Sequence, residues 1–408
     1  MISQIKSIIF IIITLCIIGY IYKVYETTYE QFSLNATTKA ETNPKIFYVL
    51  SPIFFWIASN AFLFKNANGP LMSRIKSLFY NLNEPAKFKT LIPLASLFAL
   101  VISSLTAVYG GGALGSEAIL ISISVILLLF ASDFFKNNIK QLHIENLLYI
   151  GYIFGFTFAF RSPLASAVLA IEKSLMSHSN NLITNALYSF IAIAIAYFFM
   201  NDEKMFYSAT PQKYTYDLSS VLQYAILALL CGIFASLFFN FMYKMYFAVK
   251  NVYSNNYIIF NVIPIVLGLC VAAIINNTDA VSVGEGKKSI NAMFSGENVY
   301  TIKNVIGHIA NILFTFVSGC SGGLIIPSIS IGSYVGFLYN KMTTLPLMQT
   351  LIVGMTSVFS AFFGYPVASA VVIQTILNQN VDVLPLLILM SYISYFSYKY
   401  SNEQFAFS

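Results

Sequence analysis

The sequence has few charged residues for its length. Of 408 residues, 22 are Lys or Arg and 16 are Asp or Glu, so the charged fraction is 9%, whereas soluble proteins carry roughly 25%. The charges lie in short clusters between long apolar segments, which leaves no basic face for binding nucleic acid. This scarcity excludes a soluble globular protein, and it gives no support to a protein that binds nucleic acid.

Cysteine and histidine are also scarce. None of the four cysteines is part of a CxxC pair or is spaced from the three histidines as metal ligands would be; the residues are Cys16, Cys231, Cys270, Cys320, His143, His178 and His308. We interpret the cysteines as small buried apolar residues and expect no metal and no cofactor. An intramembrane enzyme is disfavoured as well, because hydrolysis needs a Ser–His pair or a metal-ligand cluster.

Apolar sequence is abundant. Hydrophobic residues make up 58% of the chain, and the mean hydropathy is +0.74. Because a membrane-spanning helix needs roughly 20 apolar residues, we predict an all-α polytopic membrane protein. Its apolar segments are residues 7–22, 46–64, 90–132, 146–160, 183–200, 218–243, 251–278, 304–340, 342–381 and 383–398. We expect the first segment to be a retained helix, because no small-residue cleavage site follows it.

Glycine and proline interrupt several of these segments. Such interruptions are typical of transporters whose broken helices meet at a binding site near the bilayer midplane. The interrupting residues are Gly110–Gly112, Gly115, Pro163, Gly319, Gly322, Gly323, Pro327 and Pro366. The polar connections are predicted to be interfacial loops or amphipathic helices, and they comprise residues 23–45, 65–89, 133–145, 202–217 and 279–303.

An internal repeat divides the chain. Gly151-x11-Pro163 recurs as Gly354-x11-Pro366 at an offset of 203 residues, and residues 119–124 recur as residues 325–330 at an offset of 206. Proteins built from two related halves place the substrate between them. We therefore predict one transport domain over residues 1–408. It comprises an N-terminal helix and loop (1–46), a first half (about 47–200) and a second half (about 218–408).

Glu117 is the outstanding residue. It is the sole charged residue in the 43 residues between Lys89 and Asp133. A carboxylate at that depth is costly unless it is solvated, paired or protonated, so it indicates function. The preceding turn, Tyr109-Gly-Gly-Gly-Ala-Leu-Gly-Ser116, opens into an apolar run. Free N–H groups and a positive helix end beside the carboxylate favour an anion site.

A second Gly-rich turn offers a partner for the first. Residues 318–327, Ser-Gly-Cys-Ser-Gly-Gly-Leu-Ile-Ile-Pro, again lead into an apolar helical run. Glycines allow close approach of the backbone to a ligand, and Pro327 lies early in the new helix, where its missing N–H costs least. Two such helix starts directed at one point would form a dehydrated site for a small anion.

These motifs resemble those of the CLC family of chloride channels and chloride/proton exchangers. The family's G-(K/R)-E-G-P signature occurs, altered, as residues 115–119, and its G-G-x-F-x-P signature occurs as residues 322–327. Residues 159–172 resemble its A-A-F-N-A-P-L-A-G…E-E block, and residues 353–370 resemble the second-half counterpart. The order and spacing hold over about residues 47–408.

The resemblance implies a fold of two inverted repeats with broken and re-entrant helices. It also implies a homodimer in the lipid bilayer, in which each subunit moves chloride and protons through its own pathway. We expect a short form without cytosolic regulatory domains, in a bacterial inner membrane.

The resemblance also implies roles for individual residues. Glu117 matches the gating glutamate, which blocks the outer anion site and exchanges protons with the outside. The backbone amides of Leu324 and Ile325 match those that hold the central anion, and we include Gly115, Ser116 and Gly323 in the anion site.

Three further positions depart from the family pattern. The G-S-G-I-P motif is poorly matched by residues 66–70, so Ala67 stands in place of the anion-binding hydroxyl, with Asn68 beside it. Phe407 is the best match to the inner-gate tyrosine, and Lys173 replaces the inner proton-relay glutamate. A buried lysine can titrate near neutral pH, so Lys173 is either a proton relay or a plain cation paired with Glu172.

Chloride/proton antiport is the function that we predict, with several alternatives. An uncoupled chloride channel is favoured if Lys173 cannot relay protons, and the altered positions leave fluoride or nitrate as other substrates. A sodium-coupled carrier would need several carboxylates or hydroxyls for its cation, which one buried glutamate does not supply. We expect Glu172 to cap the inner end of its own helix and His308 to be a packed or pore-facing polar residue.

Overall fold

The computed structural model describes residues 2–60, 95–134, 144–176, 182–200, 209–214, 217–255, 257–278, 280–296 and 301–405. Within these ranges the chain forms fifteen α-helices and two short 3₁₀ turns, and no strand. The helices are α1 (Ile2–Thr42), α2 (Phe47–Asn60), α3 (Ala95–Tyr109), α4 (Glu117–Phe134), α5 (Ile144–Phe160), α6 (Pro163–Met176), α7 (Leu182–Phe199), α8 (Leu218–Asn255), α9 (Tyr257–Asn277), α10 (Lys287–Phe294), α11 (Ile302–Val317), α12 (Ile325–Asn340), α13 (Leu347–Phe363), α14 (Pro366–Ile376) and α15 (Leu384–Phe405). The prediction of an all-α polytopic membrane protein is confirmed.

The helices break where glycine and proline interrupt the apolar segments. The segment 90–132 divides into α3 and α4 at the first Gly-rich turn, and the segment 304–340 divides into α11 and α12 at the second. Pro163 and Pro366 each begin a helix, a position at which the missing N–H of proline costs nothing. Each half therefore contains short helices whose ends lie inside the molecule.

Helices α11–α15 repeat helices α3–α7 in the same order. Helices α5 and α13 have equal lengths and are offset by 203 residues at both ends, Ile144 to Leu347 and Phe160 to Phe363. The pair α4 and α5 packs together, and so does the corresponding pair α12 and α13. Gly151 allows this contact in the first half, because a Cβ there would lie 2.9 Å from Val125 Cα.

Helix α1 is longer than its apolar segment. We expected the polar residues 23–45 to form a separate loop or amphipathic helix, whereas the helix continues to Thr42. Tyrosines one turn apart explain the continuation, since Tyr25 and Tyr29 are buried against the first half. The Tyr29 hydroxyl donates to the Leu114 carbonyl at 2.6 Å, and the Tyr25 hydroxyl lies 2.9 Å from Ser104 Oγ. Helix α1 thus runs along the first Gly-rich turn.

Three of the described helical segments are long and apolar enough to cross a membrane, Lys6–Thr42, Leu218–Asn251 and Val381–Glu403. Eight further apolar segments of 10–17 described residues lie in other helices; the shortest of these helices, α14 with 11 residues, is too short to span about 30 Å of hydrocarbon alone at 1.5 Å per residue. Polar ends of such short helices are tolerated at membrane depth where they line a cavity or are buried in protein.

Candidate functional site

The two Gly-rich turns meet and bind each other through their backbones. The Gly115 amide donates to the Gly323 carbonyl at 2.8 Å, and the Gly323 amide donates to the Gly115 carbonyl at 2.6 Å. This antiparallel bridge holds the start of α4 against the start of α12. Gly323 needs to be glycine, because a Cβ there would lie 2.9 Å from the Ala118 backbone nitrogen.

The N-terminal turns of α4 and α12 leave amide groups without helical partners. Ile119 and Leu120 donate the first bonds of α4 to the Ser116 carbonyl, and Ser328 donates the first bond of α12 to the Leu324 carbonyl. The N–H groups before these donors have no partner in their helices. Two helix ends with positive dipole charge therefore lie side by side, which is a favourable environment for an anion.

A cavity of about 60 Å³ lies against these helix starts. It is large enough for several waters or a small anion. Its lining includes residues from the starts of both helices and from the second turn, among them Ala118, Ile119, Ser122, Ser321, Leu324 and Ile325. The predicted convergence of two helix starts is therefore present, with a cavity beside it.

Glu117 begins α4 and is buried, with 1% of its surface exposed. In the described part of the chain, the one cation paired with it is the Lys287 ammonium, 3.5 Å from Oε1. No other side chain that the structure describes donates a hydrogen bond to either oxygen. A carboxylate this deeply buried and weakly bound is free to be replaced by a solute anion or neutralised by a proton.

Two functional candidates were missed in the sequence analysis. Glu285 and Lys287 belong to the connection 279–303, which we expected at the membrane interface, but Glu285 is buried beside Glu117 with 6% of its surface exposed. The Lys287 ammonium lies 2.5 Å from Glu285 Oε1. Gly284 and Gly286 flank the glutamate with positive φ angles of 77° and 104°, and this Gly-Glu-Gly turn is the one sequence signal that would have found it.

Side chains of α11 and α12 bind the loop that carries Glu285. His308 Nε2 lies 3.0 Å from the Gly284 carbonyl, and its Nδ1 contacts the Tyr334 hydroxyl. The Ser330 hydroxyl donates to the Glu285 carbonyl at 3.0 Å. We expected His308 to be either packed or pore-facing, and the structure shows it packed. Its contacts hold the Glu285 loop in place.

Helix α11 also ties this loop to the first turn. The Asn311 amide group donates to the Ser282 carbonyl at 2.7 Å and to the Gly111 carbonyl at 2.9 Å. Thr315 Oγ1 accepts a hydrogen bond from the Ala113 amide at 3.2 Å. One helix of the second half thus positions both the Glu117 turn and the Glu285 loop.

Lys173 lies in α6 among three tyrosine rings. Its ammonium is 4.6 Å from the ring centre of Tyr152, 5.6 Å from that of Tyr365 and 5.8 Å from that of Tyr149. It also donates to the Tyr365 hydroxyl at 3.3 Å. Aromatic faces stabilise a buried ammonium, so a cation is accommodated here.

Glu172 contacts a different helix from the one we expected. We predicted that it would cap its own helix, whereas its carboxylate accepts the Val367 amide at 3.1 Å and the Ala368 amide at 2.8 Å, in the first turn of α14. The reason is the helix dipole, which repels a carboxylate at the C-terminus of α6 and attracts it at the N-terminus of α14. Glu172 is a structural link between the two halves.

The remaining predicted site residues divide into two groups. The Gly115 and Gly323 amides each donate to the carbonyl of the other residue, so they are not available to an anion in this structure. Leu324 and Ile325 line the cavity, and Ser116, which precedes Glu117 in the sequence, is buried. Ala67, Asn68 and Phe407 lie outside the described residues.

Comparison with known proteins gives consistent matches. The sequence profile of the family described as "Voltage gated chloride channel" matches residues 51–398. An uncharacterised protein of Methanocaldococcus jannaschii is 27% identical over 269 residues, which are 64% of this chain and 64% of that protein. The alignment therefore spans slightly less than two thirds of the relative's length.

Solved structures share the fold. A CLC-type fluoride/proton antiporter is 19% identical with a TM-score of 0.77, over 96% of this chain and 95% of that one. A slow cyanobacterial Cl⁻/H⁺ antiporter is 17% identical with a TM-score of 0.75, over 97% and 94%. A eukaryotic CLC transporter is 17% identical with a TM-score of 0.72, over 98% and 73%.

Proposed function

Because the chain belongs to the voltage gated chloride channel (CLC) family, whose members transport anions across membranes, we propose that it exchanges chloride for protons. Glu117 is the gate of this exchange. The observation that carries the proposal is the position of Glu117, a buried carboxylate at the start of α4, next to a cavity bounded by two helix N-termini.

The anion site in this proposal consists of backbone amides at the starts of α4 and α12. Chloride entering the cavity is stabilised by the N–H groups of Leu324 and Ile325 and by the two helix dipoles. Ser321 is a residue of the same cavity lining, and rotation of its hydroxyl toward the anion adds a side-chain donor. No lysine or arginine needs to enter the cavity for this site to hold an anion.

Exchange follows from competition between chloride and the Glu117 carboxylate. An ionised Glu117 occupies the amide-rich region itself and blocks the anion. A proton from the outside neutralises the carboxylate, which then leaves the helix starts and opens the site. Each opening thus consumes one proton at Glu117, and return of that proton to the inside completes the coupling.

The inner half of the proton path is assigned to Lys173. It occupies the position of the family's relay glutamate, and its tyrosine surroundings provide hydroxyls through which a proton can pass. We further propose that the first half (about 47–200) and the second half (about 218–408) form one transport domain, and that two chains associate as a homodimer with one pathway each.

An uncoupled chloride channel is the second candidate. It is favoured by Lys173 itself, because an ammonium held by three aromatic rings is stabilised in its charged form. A permanent charge cannot relay protons. Glu117 would then remain a gate without driving proton transport.

Reconstitution in liposomes tests the proposal. We would impose a chloride gradient and record chloride efflux together with external pH. Proton movement against its gradient, driven by chloride, is the expected result. Chloride efflux without proton movement would identify the channel, and the absence of chloride flux, followed by flux of fluoride or nitrate in the same assay, would reassign the anion.

A further inference from the structure

The first half lacks a positive charge next to its buried glutamate. The family signature G-(K/R)-E-G-P has a basic residue before the glutamate, whereas this chain has Ser116, which is buried with 5% of its surface exposed. The ionised gate would therefore have no neighbouring cation in its own turn. A buried carboxylate without a counter-charge is strongly disfavoured.

The second half provides a cation at this place. Lys287 begins α10 and extends its ammonium to 3.5 Å from Glu117 Oε1 and 2.5 Å from Glu285 Oε1. We propose that Lys287, held by Glu285, replaces the missing basic residue of the signature and is the positioning residue that sets the charge balance of the gate. The inference rests on the proposed role of Glu117.

Two carboxylates share this one ammonium. Their second oxygens converge above Gly115, where a Cβ would lie 2.8 Å from Glu285 Oε2 and closer still to Glu117 Oε2. The group of three carries one excess negative charge when both carboxylates are ionised and is neutral when Glu117 is protonated. Lys287 therefore keeps ionised Glu117 in the site. When Glu117 is protonated and leaves, the Lys287 ammonium pairs with Glu285 alone.

The other elements around this group present few competing charges. On α1, the Glu26 carboxylate also attracts the Lys287 ammonium, but Glu26 is itself paired with Arg161 at 3.0 Å. Tyr25 and Tyr29 face the carboxylates from the same helix, and both hydroxyls are engaged in hydrogen bonds with the first half.

Helix α11 contributes His308, and both of its ring nitrogens have partners in the Gly284 carbonyl and the Tyr334 hydroxyl. These contacts hold the loop in place, with Lys287 near both carboxylates. With 31% of its side chain exposed, Lys287 is not fully enclosed by the protein.

The variant Lys287→Met tests this inference, because it removes the charge and keeps the length of the side chain. Without the ammonium, ionised Glu117 is penalised, so the gate stays protonated at higher pH. We expect the external pH for half-maximal chloride flux to rise by about one unit or more. We also expect the chloride concentration for half-maximal flux to rise about tenfold.

The neighbouring lysine provides a matched control. Lys288 has 62% of its side chain exposed and pairs with Glu41 on α1, so Lys288→Met should leave both values unchanged. Lys287→Arg should restore the wild-type pH midpoint. The double variant Ser116→Lys/Lys287→Met places the cation where the family signature has it, and it should lower the midpoint again.

A second variant should shift the pH midpoint of chloride flux in the opposite direction. Glu285→Gln removes the competing carboxylate, so Lys287 pairs with Glu117 alone and the pH midpoint should fall. This variant keeps the inference testable if Lys287→Met does not fold. An unchanged midpoint in both folded variants would overturn the role of Lys287. If wild-type flux does not depend on external pH and Glu117→Ala changes nothing, the proposed gate fails before Lys287 is at issue.

Discussion

The Ser321 amide donates a hydrogen bond to the Ser103 hydroxyl at 3.0 Å, across the boundary between the two halves. This bond fixes the backbone of the second Gly-rich turn on the middle of α3. Ser321 belongs to the lining of the cavity, and its hydroxyl is buried and without a hydrogen-bond partner among the residues that the structure describes. A buried hydroxyl without a partner is costly, and an anion in the cavity would satisfy it.

Ser321→Ala is therefore expected to weaken anion binding without weakening the fold. A hydrogen bond to a charged group contributes about 1.5–3 kcal/mol, which corresponds to a loss of about tenfold or more in chloride affinity. Isothermal titration of the purified protein with chloride measures this loss. Thermal stability without chloride should be unchanged or slightly higher, because no existing bond is removed.

Ser122→Ala is the matched control for that substitution. Ser122 lines the same cavity, but its hydroxyl already donates to the Ala118 carbonyl at 2.6 Å. Its replacement should affect chloride affinity much less. Equal losses in the two variants would contradict a specific role for the Ser321 hydroxyl.

Glu117→Gln should abolish proton coupling and leave anion passage intact. The amide resembles a protonated carboxyl in shape and neutrality but cannot carry a proton, so the site stays open. Chloride efflux and external pH are recorded together in proteoliposomes. Proton transport that survives this change would show that Glu117 is not the proton carrier.

Glu117→Ala should remove the gate entirely, so that chloride flux no longer depends on external pH. Glu41→Gln is the control, because Glu41 is a half-exposed carboxylate on α1. Its neutralisation should not change proton coupling. A pH dependence that persists in the alanine variant would count against the gate assignment.

The broken helices were predictable because their causes are local. Glycine and proline end a helix or begin one through their own backbone properties, so the breaks at Gly110–Gly112, Pro163 and Pro366 can be read from the sequence. Glu117 was predictable for the same reason, since it is isolated within an apolar segment. The energetic cost of a buried charge is visible without a structure.

Glu285 and Lys287 were not predictable in this way. Their segment is polar and rich in glycine, a composition typical of a solvated loop. Its burial depends on His308 and Asn311, which lie more than twenty residues away in the sequence and bind the loop carbonyls. Because this anchoring is tertiary, no local pattern reports it. The predicted partner of Glu172 was wrong for a similar reason, because the sequence repeat does not reveal which helix ends lie next to each other.

Gly115→Ala should impair both stability and transport. The added methyl group would lie 2.8 Å from Glu285 Oε2 and closer to Glu117 Oε2, so the carboxylates would have to move. Overpacking of this kind costs about 1–3 kcal/mol, which thermal unfolding in detergent measures. Gly110→Ala is the milder control, because its nearest neighbour would be Phe54 Cβ at 3.0 Å. A Gly115→Ala protein with wild-type stability and transport would contradict the packing at the gate.

Lys173→Met decides between the exchanger and the channel. If Lys173 relays protons, the variant should lose chloride-driven proton transport by at least about tenfold while chloride flux continues, since the cavity at the helix starts is untouched. If the wild type transports no protons, the variant should behave identically to it.

Lys341→Met is the control for Lys173→Met. Lys341 also lies over an aromatic ring, at 4.7 Å from the centre of Phe337, but it is exposed at the end of α12. Its replacement should leave coupling unchanged. Proton coupling that is present in the wild type and persists at full rate in Lys173→Met would mean that protons bypass this residue. The tyrosine surroundings of Lys173 would then be a purely structural site for a buried cation.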